Sequence, residues 1–149
     1  MMIALASDHA AYEFRSKIKE HLEQKGIKVL DCGTFDKDKS CDYSDFAVAA
    51  CKAVQSGKCD KAVLICGTGI GMSMAANKMK GIRCALCSDT FSARMTRLHN
   101  DANALAMGER VLGLGLALDI VDTFVSTEFS GEERHVRRIE KVMKIEESE

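Results

Sequence analysis

At 149 residues, 46% hydrophobic and 29% charged, the chain has the length and composition of a globular protein with one substantial core, not of a disordered or fibrous one. Its formal net charge of -1 argues against a broad surface for nucleic acid or anionic lipid and leaves only local arginine clusters able to hold a phosphate. Seven scattered cysteines suit a reducing compartment, and the opening MMIALASDHA is too short an apolar run for a signal peptide or membrane span, so a cytoplasmic protein without membrane attachment is expected.

In chain order, apolar residues 2–6 predict a first strand and amphipathic residues 11–24 a first helix. Residues 28–31 predict a second strand, 44–56 a second helix and 62–66 a third strand that runs through a glycine-rich turn into a helix over 72–79. Strand 83–87, helix 90–98, strand 104–107 and helix 114–127 follow, and a last charged helix covers about 132–145 before an acidic EESE tail that is expected to fray. Gly26, Gly57, Gly81 and Gly131 separate helical stretches where a left-handed residue is wanted. Without a linker or internal repeat, the alternation predicts a single domain over residues 1–149, an α/β protein built as a three-layer α/β/α sandwich on five parallel strands. Strand order does not follow from the pattern.

In such folds ligands gather at the carboxyl ends of the strands. The places to search are therefore Ser7-Asp8-His9, the turn after Cys66, Ser88-Asp89 and Gly108-Glu109-Arg110. The strongest local signal is VLICGTGIGMSMAANK, in which Gly67, Gly69 and Gly71 let backbone N–H groups approach an oxyanion or phosphate. One alternative is a tight connection whose glycines serve packing alone. Another is a dinucleotide-binding turn with Asp89 on a ribose, but G-x-G-x-G is one residue short of G-x-G-x-x-G, and the P-loop pattern is missing too.

Cys66 enters this turn at a helix N-terminus, a setting that favours a thiolate and hence a base, whereas a lone cysteine ending an apolar strand can equally be inert core. Cys32, Cys41, Cys51 and Cys59 read as structural or incidental. Cys84-x-x-Cys87 lies in a strand, where residues three apart point to opposite faces, so no metal is expected there. His9 stands beside Asp8, and His99 with Asn100 and Asp101 closes a helix. His21, among charged neighbours, reads as solvated helix surface, and Met72, Met74 and Met79 as helix packing. Arg134 and Arg138, spaced i,i+4, could fork around a phosphate ester together with Arg110. The alternative is a solvated face paired with Glu132, Glu133 and Glu140.

The segments SDHAAY, DCGT, DYSDFA, ICGTGIGMSMAANK, GIRCALC, RLHNDAN and GERVLG, in that order, resemble the type B ribose-5-phosphate isomerases nearly end to end. The resemblance implies a Rossmann-like fold and a homodimer, able to pair into tetramers, with active sites between subunits. It also implies that D-ribose 5-phosphate and D-ribulose 5-phosphate interconvert through an enediolate with no metal or other cofactor. Cys66 would be the base that moves a proton between C2 and C1, Thr68 would help proton transfer at the sugar oxygens, and the amides of Gly67, Gly69 and Gly71 would stabilise the enediolate. Asp8, Tyr43 and His99 would hold and open the sugar ring, and Asn100 would contact the open chain. His9, Arg110, Arg134 and Arg138 would grip the phosphate, with the His99-Asn100 and Arg110 regions reaching across the dimer. Met72 stands where another branch of the family carries a glutamate, so this chain resembles the cysteine branch. Ser44 replaces a frequent proline, and Gly131-Glu132-Glu133-Arg134 replaces a shorter turn, which bears on the placing of Arg134 and Arg138. Family members acting on allose 6-phosphate or galactose 6-phosphate, or a non-catalytic nucleotide or sugar-phosphate binding domain, are the alternative readings.

Overall fold

The computed structural model describes residues 1–148. Its strands are β1 (Met2–Ser7), β2 (Lys28–Asp31), β3 (Lys61–Cys66), β4 (Cys84–Leu86) and β5 (Ala104–Gly108). Its helices are α1 (Tyr12–Gln24), α2 (Tyr43–Gln55), α3 (Ile70–Ala76), α4 (Thr90–Asn100), α5 (Leu114–Ser126) and α6 (Glu133–Ser148).

Alternate strand residues project to opposite sides of a sheet, and here the alternation separates large from small. Ile3, Leu5, Val63, Ile65, Leu105 and Met107 face one side and pack with Ile18, Leu22, Ala93, Ile120 and Phe124 of α1, α4 and α5. Ala4, Ala6, Ala62, Ala104 and Ala106 face the other, with Leu64 and Cys66, and meet Ala47, Ala50, Cys51, Met72 and Ala76 of α2 and α3. Small side chains on both partners let α2 and α3 lie close to the sheet, and Cys66 belongs to that closely packed side.

All strand pairs are parallel, in the order β2-β1-β3-β5-β4. The chain leaves β1 for β2 on one side and then crosses to β3 on the other, so a topological switch point opens between the carboxyl ends of β1 and β3.

Several local expectations shift. Helix α3 starts at Ile70 rather than at residue 72, because Gly69 takes φ +80 and turns the chain from strand to helix at once. The C-terminal helix does not end before the acidic tail. It continues to Ser148, and both carboxylate oxygens of Glu146 accept the Gly81 N–H at 3.0 Å, tying the last turn to the body. His21 is not solvated surface: its Nε2 meets Asp122 Oδ1 at 2.8 Å and joins α1 to α5. Met74 is 65% exposed and packs no core. Cys84 packs against the alanine side and Cys87 within the other core, so strand geometry separates the two thiols as expected. Among the described residues no helix is long and apolar enough to cross a membrane.

Candidate active site

The register brings three strand ends to one level. Ser7 pairs with Ile65 and Cys66 with Gly108, and the Asp8 N–H donates to the Ile65 carbonyl at 3.2 Å. Asp8, Cys66 and Glu109 therefore share the rim at the switch point. Cys66 is only 4% exposed, and its Sγ accepts the Gly69 N–H at 3.1 Å. The first amides of a helix have no partner one turn back. That of Ile70 goes to Thr68 Oγ1 at 3.3 Å, which leaves the amides of Gly71 and Met72 outside the helix ladder and the Thr68 hydroxyl proton free to donate.

Close approach explains the glycines around this loop. A Cβ on Gly108 would lie 2.6 Å from the Thr68 backbone, one on Gly69 2.7 Å from the Met107 carbonyl carbon, and one on Gly71 2.5 Å from the Tyr43 ring. Tyr43, 45% exposed, thus lies directly on the turn. The Arg110 side chain runs over Gly67, where a Cβ would be 3.6 Å from its Cδ. Arg110 therefore stands beside the Cys66 loop of its own chain.

Asp8 Oδ1 accepts the Ala11 N–H at 3.1 Å and so closes the turn that leads into α1. His9 Nδ1 accepts the Cys41 N–H at 3.3 Å with Cys41 Sγ 3.6 Å away, which leaves Nε2 to carry the neutral ring's proton. Cys41 is thus not incidental, although nothing in its sequence neighbourhood signals the contact. A second missed residue is Arg15, 2% exposed, whose guanidinium donates to Ser7 Oγ at 3.0 Å while its Nε, 3.4 Å from Asp31 Oδ1, finds no hydrogen bond. It anchors the strand end just before Asp8. Its i,i+3 spacing to buried Ile18 marks it as a charge on the buried stripe, a signal the sequence does carry.

The other cysteines differ from Cys66 in what surrounds them. Burial, and then neighbouring Cys32, pushes the Cys51 thiol up to about 12, and burial followed by Asp89 pushes Cys87 up to about 11. Asp89 is spent as the cap of α4. It accepts the Ser92 N–H at 2.6 Å and the Ser92 hydroxyl at 2.9 Å, bonds that hold its carboxyl below the usual range. Both oxygens thus serve the start of α4.

The remaining expected residues lie elsewhere. Helix α4 runs back along the sheet, so His99 and Asn100 end beside the start of β5, whereas Cys66 pairs with the last residue of β5. Four residue steps along β5 separate those levels by about 13 Å at the usual strand rise. The His99 ring lies 4.4 Å from His135, Arg134 Nε donates to His135 Nε2 at 3.3 Å, and Arg138, Arg83 and Asn100 line a cavity of about 510 Å³ between α4 and α6. The expected site is therefore split, with Asp8, His9, Tyr43, Cys66, Gly67, Thr68, Gly69, Gly71 and Arg110 at one end of the sheet and His99, Asn100, Arg134 and Arg138 at the other.

The family described as Ribose/Galactose Isomerase matches residues 3–142. Ribose-5-phosphate isomerase B of Escherichia coli is 43% identical over 145 residues, covering 97% of this chain and 96% of that protein. Ribose-5-phosphate isomerase B of Clostridium thermocellum superposes with a TM-score of 0.96 at 50% identity over 99% of both chains. The Mycoplasma genitalium enzyme, solved with bound ribulose 5-phosphate, superposes at 0.93 with 38% identity, covering 99% of this chain and 97% of its own. Agreement this complete in sequence and in fold places the chain in the ribose/galactose isomerase family.

Proposed function

We propose that this chain interconverts D-ribose 5-phosphate and D-ribulose 5-phosphate, with Cys66 as the base, in a homodimer able to pair into tetramers. The observation that carries this reading is the hydrogen-bonded Sγ of Cys66 at the switch point, beside a glycine turn whose donors can meet a developing negative charge.

In the open-chain aldose, the Cys66 thiolate takes the proton from C2 and the electron pair forms the C1=C2 bond of the enediolate. The charge collects on O1, where the turn's free amides act as preorganised donors. Cys66 returns the proton to C1, and Thr68 relays the remaining proton from O2 to O1, which leaves the ketose. Asp8, Tyr43 and His99 open the ring and Asn100 holds the open chain. His9, Arg110, Arg134 and Arg138 bind the phosphate. Nothing in this sequence of steps calls for a metal or other cofactor.

The division of the site between two ends of one chain supports a dimer in which the His99 end of one copy closes over the Cys66 end of the other. Ile70, Met74, Leu86 and Phe91, between 45% and 67% exposed beside the Cys66 turn, supply the apolar surface such a contact would cover. Seven free thiols support a reducing, cytoplasmic setting, and two cores sharing one sheet support a single domain. A coupled assay with ribose 5-phosphate, allose 6-phosphate and galactose 6-phosphate, with and without chelator, tests the reading. Turnover of the pentose phosphate above both hexose phosphates, unaffected by chelator, is expected. A folded protein that binds sugar phosphate without turning any over would sink it in favour of a binding domain.

A further inference from the structure

The first turn of α6 holds a buried histidine to which the proposed chemistry assigns no part. His135 is 4% exposed, and every polar atom of its ring is engaged. Arg134 Nε lies 3.3 Å from His135 Nε2, and Ser130 Oγ lies 2.8 Å from Nδ1. A guanidinium can only donate, so Nε2 must be the acceptor and the ring proton must sit on Nδ1, from which it is donated to Ser130 Oγ. Ser130 Oγ also accepts the Glu132 N–H at 3.3 Å, which fixes the hydroxyl that fixes the ring. His99 packs against the imidazole with centroids 4.4 Å apart and planes tilted by 37°.

We infer that His135 is a positioning residue: as a neutral ring with its proton on Nδ1, it holds the Arg134 guanidinium in the orientation that receives the substrate's phosphate. Glu132 cannot serve this purpose alone. Its 3.1 Å pair with Arg134 lies between groups more than half exposed, the kind of contact that water and salt screen. The His135 contact is part-buried and its acceptor ring only 4% exposed, so water competes for it less. Burial, and after it neighbouring His99, Arg134 and Arg138, keeps the His135 imidazole below its usual range against the opposing pull of Glu132. Near neutral pH the ring can therefore accept.

This inference rests on the reading of Arg134 as a phosphate ligand, and the experiment separates the two. Arg134→Ala, His135→Leu and His135→Gln are compared for kcat, KM with ribose 5-phosphate and inhibition by inorganic phosphate. His135→Leu should raise KM and the phosphate inhibition constant together by about tenfold, the worth of one hydrogen bond to a charged group, with a smaller change in kcat. His135→Gln, whose Oε1 can stand in for Nε2, should recover most of that loss. Raised constants for Arg134→Ala beside unchanged ones for His135→Leu would overturn the positioning role alone. Unchanged constants for Arg134→Ala would overturn the reading of Arg134 and this inference with it. A folded His135→Gln as impaired as His135→Leu would show that the acceptor is not what matters and would also overturn it.

Discussion

The Gly69 N–H points at Cys66 Sγ across 3.1 Å, so the backbone that turns the chain from β3 into α3 also touches the proposed base. A helix of only seven residues offers a weak macrodipole. The local amide is the nearer and better-aimed influence on the sulfur.

If Cys66 is the base, Cys66→Ser should fold normally yet lose about 10²- to 10⁴-fold in kcat, the usual contribution of a general base, because a serine hydroxyl does not ionise near neutral pH. Wild-type kcat/KM should rise with pH in step with the rate of Cys66 alkylation, and substrate should slow that alkylation. Near-wild-type turnover by Cys66→Ser would point to a carboxylate such as Asp8.

Alkaline stability should be set by the buried thiols that do no chemistry. Cys51 and Cys87 titrate near 12 and 11 in the fold against 9.0 for a free thiol. Between about pH 9 and 11 the unfolded chain then binds fewer protons than the folded one, so stability is intact below that window and falls as pH rises through it. Cys51→Ala should lose less Tm between pH 8.5 and 10.5 than wild type does, by differential scanning calorimetry. An equal decline in both proteins would mean that Cys51 contributes nothing to it.

Two inactive variants should restore each other. Cys66→Ala and His99→Asn, mixed and allowed to exchange subunits, should recover activity, because a heterodimer retains one site with both residues intact. Persistent inactivity after exchange is verified by mass spectrometry would mean that both residues serve a site within one chain, against the separation along β5.

Gly108 should tolerate no side chain. A Cβ there would meet the Thr68 backbone at 2.6 Å, and backbone cannot swing aside as a flexible side chain can. Gly108→Ala should destabilise the fold by about 1–3 kcal/mol, as overpacking does, and should depress kcat by displacing Thr68. Unchanged Tm and kcat would show that the loop relaxes freely.

Arg138→Ala should raise KM by about tenfold, since a guanidinium–phosphate pair is charge-assisted and often bidentate. The assay should show kcat much less affected. An unaltered KM would mean that the Glu132-Glu133 turn has carried this part of α6 away from the phosphate.

Short-range physics made much of this protein legible in its sequence. The short apolar runs around Ile3, Val63 and Leu105 predict buried strands, and the glycines around Thr68 mark a turn where backbone N–H groups can approach a ligand closely. Likewise, the strand spacing of Cys84 and Cys87 is enough to separate their thiols. These readings depend on neighbours within a few residues, where bond geometry and sterics decide.

What only the tertiary structure decided depends on which distant segments meet. The order β2-β1-β3-β5-β4 locates the switch point beside Cys66, and no local pattern encodes it. The return of α4 along the sheet carries His99 away from the Cys66 of its own chain. His21 finds Asp122 on α5, Cys41 finds His9 and Arg15 finds Ser7, each pairing chosen by packing rather than by either partner's own sequence neighbourhood. A side chain's chemistry is set by its sequence, but its partner is set by the global chain path, because burial and hydrogen bonding reward contacts without regard to separation along the chain.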